Sequence, residues 1–97
     1  VGAEQVMLRA MKDLNARLSE MQQQAEADDS EALMKSARRL VKVADQIGMT
    51  TFAVVALDVI DATKASNSVA QAATLARLLR IGDRSLNAVW DLRDMTL

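Results

Sequence analysis

The chain contains 97 residues, a length that suits one domain with a single hydrophobic core and is too short for two. Its formal net charge of −1 excludes a strongly basic protein that binds polyanions. Proline is absent and only 2% of the residues are aromatic, which argues against strands, because strands favour aromatic and β-branched residues in alternation. Composition therefore predicts an all-α protein.

The first predicted helix covers residues 3–27. Its apolar residues alternate in spacing between four and three, which keeps them on one stripe of an α-helix. They are Met7, Met11, Leu14, Leu18, Met21 and Ala25. Methionine adapts to irregular gaps, so we interpret the three methionines as core residues. The same spacing also suits a self-association seam, which is the alternative. The first two turns could extend beyond the rest of the fold.

The second predicted helix covers residues 30–47. Asp29 or Ser30 is expected to cap its N-terminus, and Gly48 follows its C-terminus, where glycine is favoured. At about 100° per residue, the apolar residues fall on one side. They are Leu33, Ala37, Leu40, Ala44 and Ile47. The opposite side carries four cations that cannot pair with one another, namely Lys35, Arg38, Arg39 and Lys42.

The third predicted helix starts at Thr50 or Thr51 and covers residues 51–65. Its inner side contains Phe52, Val55, Ala56, Val59, Ile60 and Thr63, with Ala53 at the boundary. Asp58 and Asp61 are expected on the outer side, together with the aliphatic residues Val54 and Leu57. Single exposed aliphatic residues are normal on protein surfaces, whereas two on one short helix are mildly unusual.

The fourth predicted helix covers residues 69–94. Ser68 and Gln71 have the spacing of a capping box at its start. Its apolar stripe contains Ala72, Leu75, Leu79, Gly82, Leu86 and Val89. We expect the helix to continue through Gly82, because no proline follows, and we expect Trp90 to pack against the open end of the fold. Four amphipathic segments with short connections predict an antiparallel four-helix up-down bundle, with residues 1–97 as one domain.

The segment DDSEALMKSARRLVKVADQIGM, residues 28–49, resembles the histidine-containing phosphotransfer (HPt) family. HPt domains commonly read D-x-E-A-L-x-x-x-A-H-x-L-K-G, followed five residues later by I/L-G. The matching positions are Asp29, Glu31, Ala32, Leu33, Ala37, Leu40, Ile47 and Gly48. The motif is moderately specific, because its apolar positions follow simple helix periodicity. The resemblance covers residues 14–92 and implies a non-catalytic signalling module built as a four-helix bundle.

The resemblance fails at the position that carries the family's chemistry. Arg38 stands where the family has its phospho-accepting histidine, and Val41 stands where a lysine usually follows. Lys42 replaces the small glycine that leaves room for a partner's phosphorylated aspartate. Arginine stays protonated and does not carry phosphate at neutral pH. The resemblance therefore implies a degenerate, pseudo-HPt domain that cannot transfer phosphate.

By this resemblance, receiver domains of response regulators dock around the second and third helices, and their phosphorylation pocket is a cluster of carboxylates. The outer cations Lys35, Arg38, Arg39 and Lys42 complement such a pocket in charge, and Val54 and Leu57 offer apolar contact. We expect the partner to be a receiver domain or another acidic protein. A solvated helix side is the alternative interpretation of the cations. Nucleic acid is not expected, since four cations make a small footprint.

Two function classes remain open. The first is a signalling adaptor that binds a receiver domain without transferring phosphate. The second is a structural helical module that self-associates or joins parts of a larger protein. The outer cations with Val54 and Leu57 favour the first class, and the heptad-like stripes of the first and fourth helices favour the second. Both a monomer and a homodimer are compatible with the sequence.

We expect no enzymatic activity, no catalytic residue and no cofactor. The chain lacks histidine and cysteine, so it lacks the usual general base and any thiolate, and its serine and threonine hydroxyls have no base. No metal site is expected, because the spacing of the outward carboxylates suggests none. These are Asp58, Asp61, Asp83, Asp91 and Asp94. The absence of cysteine and of an apolar run of ~18 residues favours a cytoplasmic protein without a membrane span.

Overall fold

The structure, a computed structural model, describes residues 2–96, except for the side chains of Glu4 and of residues 89–96. The described residues form the helices α1 (Ala3–Glu26), α2 (Ser30–Gln46), α3 (Thr50–Lys64) and α4 (Ser68–Thr96). Each helix packs against the helices before and after it in the chain, and α1 also packs against α4. The predicted antiparallel four-helix up-down bundle is confirmed, and every predicted helix end lies within two residues of the observed one.

The three turns share one backbone geometry. Each connection has three residues, and the middle residue has a left-handed φ: 56° at Asp28, 75° at Gly48 and 53° at Ser66. The residue that follows each middle residue donates its backbone N–H to the carbonyl of the residue five positions before it, as in a Schellman motif. This third residue of each turn stands directly before the first residue of the next helix. Turns this short make consecutive helices antiparallel neighbours.

The caps of α2 and α4 are side chains from these turns. Asp29 caps α2, because its Oδ1 accepts a hydrogen bond from the N–H of Ala32 at 3.2 Å. The predicted capping box of Ser68 and Gln71 is wrong. Asn67 caps α4 instead, and its Oδ1 accepts from the N–H of Ala70 at 3.0 Å. The tight turn makes Ser68 the first helical residue, which moves the capping position back by one.

The core lies on the inner sides predicted for α2 and α3. Leu33, Ala37, Leu40 and Ala44 of α2 are fully buried, while Ile47 is partly buried. In α3 the boundary residue Ala53 is buried with the rest of the inner side. Thr63 is the buried polar residue of α3. Its hydroxyl donates to the Val59 carbonyl at 2.7 Å and accepts from the Gln71 amide at 3.0 Å, so no hydrogen-bonding capacity is lost by burial.

The predicted stripe of α1 is correct except at its start. Met11, Leu14, Leu18 and Met21 are buried in the core, so these methionines fill the monomer's interior and not an external seam. Met7 is 38% exposed, and the prediction that it is a core residue is wrong. Met7 lies 21 residues before Asp28, whereas α2 extends only 18 residues beyond it. At the level of Met7, α1 therefore extends past the end of α2.

The predicted stripe of α4 needs two corrections. Leu78 is fully buried although the stripe omitted it, and Ala72 is exposed although the stripe included it. The reason is that α4 packs against α1 and α3 together, so its buried face is wide and lies around Leu78, between Leu75 and Gly82. The predicted positions of Val89 and Trp90 lie outside the described side chains.

Gly82 lets α1 and α4 approach closely. The helix α4 continues unbroken through Gly82, as predicted, and Gly82 is buried. A Cβ at this position would lie 2.5 Å from Cδ1 of Leu18 and 3.6 Å from Cε2 of Phe52. The Phe52 distance is an ordinary van der Waals contact, but any larger residue would displace the Leu18 side chain, which is itself almost fully buried.

Candidate docking face on α2 and α3

Four cations form the basic face of α2, which we define as Lys35, Arg38, Arg39 and Lys42. All four are exposed, as the sequence predicts. None of them forms a hydrogen bond or an ion pair with another described side chain. Elsewhere, an ion pair joins Arg17 to Asp13 within α1, at 3.1 Å. The basic face therefore presents its charge to the solvent, where it is available to an external anion.

The buried residues of α2 fix this orientation. Leu33, Ala37, Leu40 and Ala44 are all 0% exposed, and they occupy one side of the helix. Rotating α2 to bury a cation would expose these residues and would take a charge out of water without a partner. The direction of the basic face is thus a consequence of the core.

Val54 and Leu57 lie beside the basic face. They are 51% and 47% exposed, because Val55, Ala56 and Val59 turn inward on the same helix. Since α2 and α3 are antiparallel and joined by a three-residue turn, residues equidistant from Gly48 lie at about the same level. Lys42 and Val54 are each six residues from Gly48, and Arg39 and Leu57 are each nine. The predicted cations and the two aliphatic residues are thus exposed on neighbouring helices at overlapping levels, and together they define the docking face.

The three positions that depart from the HPt pattern separate in space. Arg38 and Lys42 are exposed and one helical turn apart. Val41 is partly buried and packs against the core, so it contributes little to the docking face. A guanidinium donates paired hydrogen bonds to a carboxylate or a phosphate, but it does not accept a phosphoryl group. The chemistry available here is therefore binding of an anion.

The acidic side chains include one arrangement that the sequence analysis overlooked. Asp61 and Asp83 are exposed, Asp58 is partly buried, and Asp91 and Asp94 lie outside the described side chains. Lys64, which is exposed in the last turn of α3, stands three residues after Asp61, and Asp58 stands three before it. The equal spacing of these three charges was the available signal. In the described part of the chain, no group of three carboxylates could hold a metal ion.

A concave surface lies between α1 and α4. It has a volume of about 380 Å³, and its apolar lining includes Ala25, Ala72, Leu75 and Leu79. Ala72, which is exposed, lines the open wall of this groove. The groove holds none of the predicted site residues, so it is separate from the docking face.

No described helix combines the length and the apolar character that a membrane span requires. The chain matches no family model, no curated protein and no solved structure. Its function must therefore be argued from its own residues.

Proposed function

We propose that the chain is a non-catalytic, pseudo-HPt module of two-component signalling that binds a receiver domain of a response regulator without transferring phosphate. One observation carries the proposal: the basic face has no ionic partner within the described chain and adjoins the exposed side chains of Val54 and Leu57. A cytoplasmic location goes with this function.

The chemistry of such a face suits an acidic pocket. Positive charge steers a negatively charged partner and fixes its orientation, while an apolar centre supplies burial. Arg38 has the geometry to pair with a carboxylate or an aspartyl phosphate through two hydrogen bonds. The resemblance of residues 28–49 to the HPt motif is the reason for proposing a receiver domain over other acidic proteins.

The proposal separates binding from phosphate transfer. Purified receiver domains from the native organism, phosphorylated with radioactive phosphate, should bind the chain but leave no acid-labile phosphate on it. Arg38→His alone should also stay unphosphorylated, because Lys42 still crowds the approach and Val41 supplies no charge. Phosphate uptake by the unmodified chain, or the absence of binding to every receiver domain, would contradict the proposal.

Association should weaken with salt. Exposed charges are screened beyond a Debye length of ~8–10 Å at 0.10–0.15 M salt, so a contact made by the basic face loses attraction as the salt concentration rises. Titration calorimetry at two salt concentrations measures this loss. An affinity that does not change with salt would place the contact elsewhere on the chain.

The second candidate function is a structural module that self-associates. The stripes of α1 and α4 that suggested this function face the core: Met11, Met21 and Leu75 are buried. The half-exposed Val54 and Leu57 make the face of α2 and α3 a surface that could serve it.

A further inference from the structure

We infer that the outer face of α2 and α3 pairs with the same face of a second copy of this chain, in a homodimer whose two-fold axis runs parallel to the helices. The inference does not depend on the proposed function. It follows from the charges of the two helices, which are complementary in sign, in level and in lateral position.

The signs along the two helices are opposite. On α2, Glu31, Lys35 and Arg39 follow one another at intervals of four residues. On α3, Lys64, Asp61 and Asp58 follow one another at intervals of three, read from the C-terminus. The order is negative, positive, positive on α2 and positive, negative, negative on α3. All six are exposed except Asp58, which is partly buried.

The levels along the bundle also match. Lys35 lies thirteen residues before Gly48, and Asp61 lies thirteen after it. Arg39 and Asp58 lie nine and ten residues from Gly48, and Glu31 and Lys64 lie seventeen and sixteen. A difference of one residue corresponds to about 1.5 Å along a helix. A two-fold axis parallel to the helices preserves these levels, so each of these three charged residues of α2 lies level with a residue of opposite charge on the second copy.

The lateral positions match as well. Asp58 lies on the α4 side of α3, because Thr51, seven residues earlier and so on the same line, borders a groove with Ile81 and Ser85 of α4. The right-handed sense of the helices then places Lys64 on the α2 side of α3. It likewise places Glu31 on the α3 side of α2, and Arg39 on its α1 side. The axis lays α2 over α3 of the second copy. The edge of α2 that carries Arg39 then lies over the edge of α3 that carries Asp58, and the edge with Glu31 lies over the edge with Lys64.

The alternative two-fold axis, perpendicular to the helices, would lay α2 over α2. That arrangement sets the basic face against itself, and like charges in contact are unfavourable. Charge therefore selects one axis. It also places Leu57 of each copy on the edge of α3 nearest the axis, so that the two Leu57 residues lie at one level across the axis. Lys42 is level with Val54 of the other copy and can cover it with its aliphatic stem.

The size of the face predicts a reversible dimer. Helices of 15 and 17 residues are about 22–25 Å long, and two of them side by side cover roughly 500 Å². This is below the ~800 Å² per partner of a standard interface. Dissociation in the micromolar range is therefore expected. A receiver domain and a second copy would compete for the same face.

Charge exchange tests the pairing by sedimentation equilibrium of the full chain at low salt, from 1 µM to 1 mM. Lys35→Glu alone and Asp61→Lys alone should each raise the dissociation constant at least tenfold. An equimolar mixture of the two variants should regain the wild-type value, because the mixed dimer restores both contacts. Arg80→Glu and Asp83→Lys on α4 are the matched controls, and neither should change the dissociation constant.

A cross-link tests the position of the axis. The chain has no cysteine, so Leu57→Cys introduces a unique thiol. A short bis-maleimide should join two Leu57→Cys chains. It should not join two Val69→Cys chains, because Val69 is 78% exposed but lies at the start of α4. A chain that stays monomeric at 1 mM, a dimer that ignores both charge reversals, a mixture that does not recover, or equal cross-linking of both variants would overturn the inference. No receiver domain is present in either experiment, so the outcomes of both experiments are independent of the proposed function.

Discussion

Two regions of the molecule differ in what their residues must provide. One is the docking face on α2 and α3, and the other is the contact between α1 and α4 around Gly82, here called the α1–α4 seam. On the docking face, the identity of the charged side chains matters and their volume does not, since Lys35, Arg38, Arg39 and Lys42 all extend into solvent. In the α1–α4 seam, the side-chain volume at each position matters, because Gly82 has no space for a Cβ beside Leu18. Stability and recognition therefore depend on different surfaces of the bundle, even within α2, and can be altered separately.

The largest expected effect contrasts two adjacent residues of α2. Leu40 is 0% exposed, and Leu40→Ala should lower the free energy of unfolding by about 3 kcal/mol through lost burial and a residual cavity. Arg39 is exposed, and Arg39→Ala should change the free energy by less than about 0.5 kcal/mol. Urea denaturation followed by circular dichroism measures both. Similar losses for the two variants would mean that the basic face contributes to the core, against the comparison.

The next effect concerns the seam. Gly82→Ala gains up to about 1 kcal/mol of helix propensity. It also forces a methyl group against Leu18, and overpacking of this kind costs about 1–3 kcal/mol. A net destabilisation of about 1 kcal/mol is expected. Ala72→Gly, at an exposed position of the same helix, measures propensity alone. Combining Gly82→Ala with Leu18→Ala should give a loss smaller than the sum of the two single losses; strict additivity would show that no clash exists.

A smaller effect, of opposite sign, is expected in α1. Oε1 of Gln24 is buried and has no hydrogen-bond partner among the described residues. Leaving an acceptor buried and unpaired costs about 1–3 kcal/mol, and methionine has a similar length and helix propensity. Gln24→Met should therefore stabilise the protein by about 1 kcal/mol. The exposed neighbour provides the control: Gln23→Met should have almost no effect. A destabilised Gln24→Met variant would indicate that the oxygen is satisfied in solution.

Much of the fold could be predicted because helix periodicity and turn chemistry are local. The inner side of α2, its cap at Asp29 and its end at Gly48 all follow from residue spacing. The errors arose where a neighbouring helix decides the outcome. Met7 is exposed because α2 does not reach it, Leu78 is buried because α4 faces two helices, and the capping position moved to Asn67 because the turn is short.

The same distinction applies to the candidate site. Exposure of Arg38 and Lys42 could be predicted from their angle on one helix. Their level relative to Leu57 could not, because it depends on the register that the turn at Gly48 imposes between α2 and α3. The complementary charges of α2 and α3 were missed for that reason, because the charge pattern of either helix shows no complementarity until the two helices are aligned.

The role of the basic face is tested by comparing two arginines on diagonal helices. Arg38 lies on the docking face, and Arg80 is exposed on α4, which does not pack against α2. Affinity is measured by titration calorimetry for Arg38→Glu and Arg80→Glu against the receiver domain that binds the wild-type chain most tightly. We expect at least a tenfold loss for Arg38→Glu, equivalent to about 1.4 kcal/mol or more, and an unchanged affinity for Arg80→Glu, with both variants as stable as the wild type. Equal affinities of the two variants would contradict this role and would leave the basic face as a solvated side of α2.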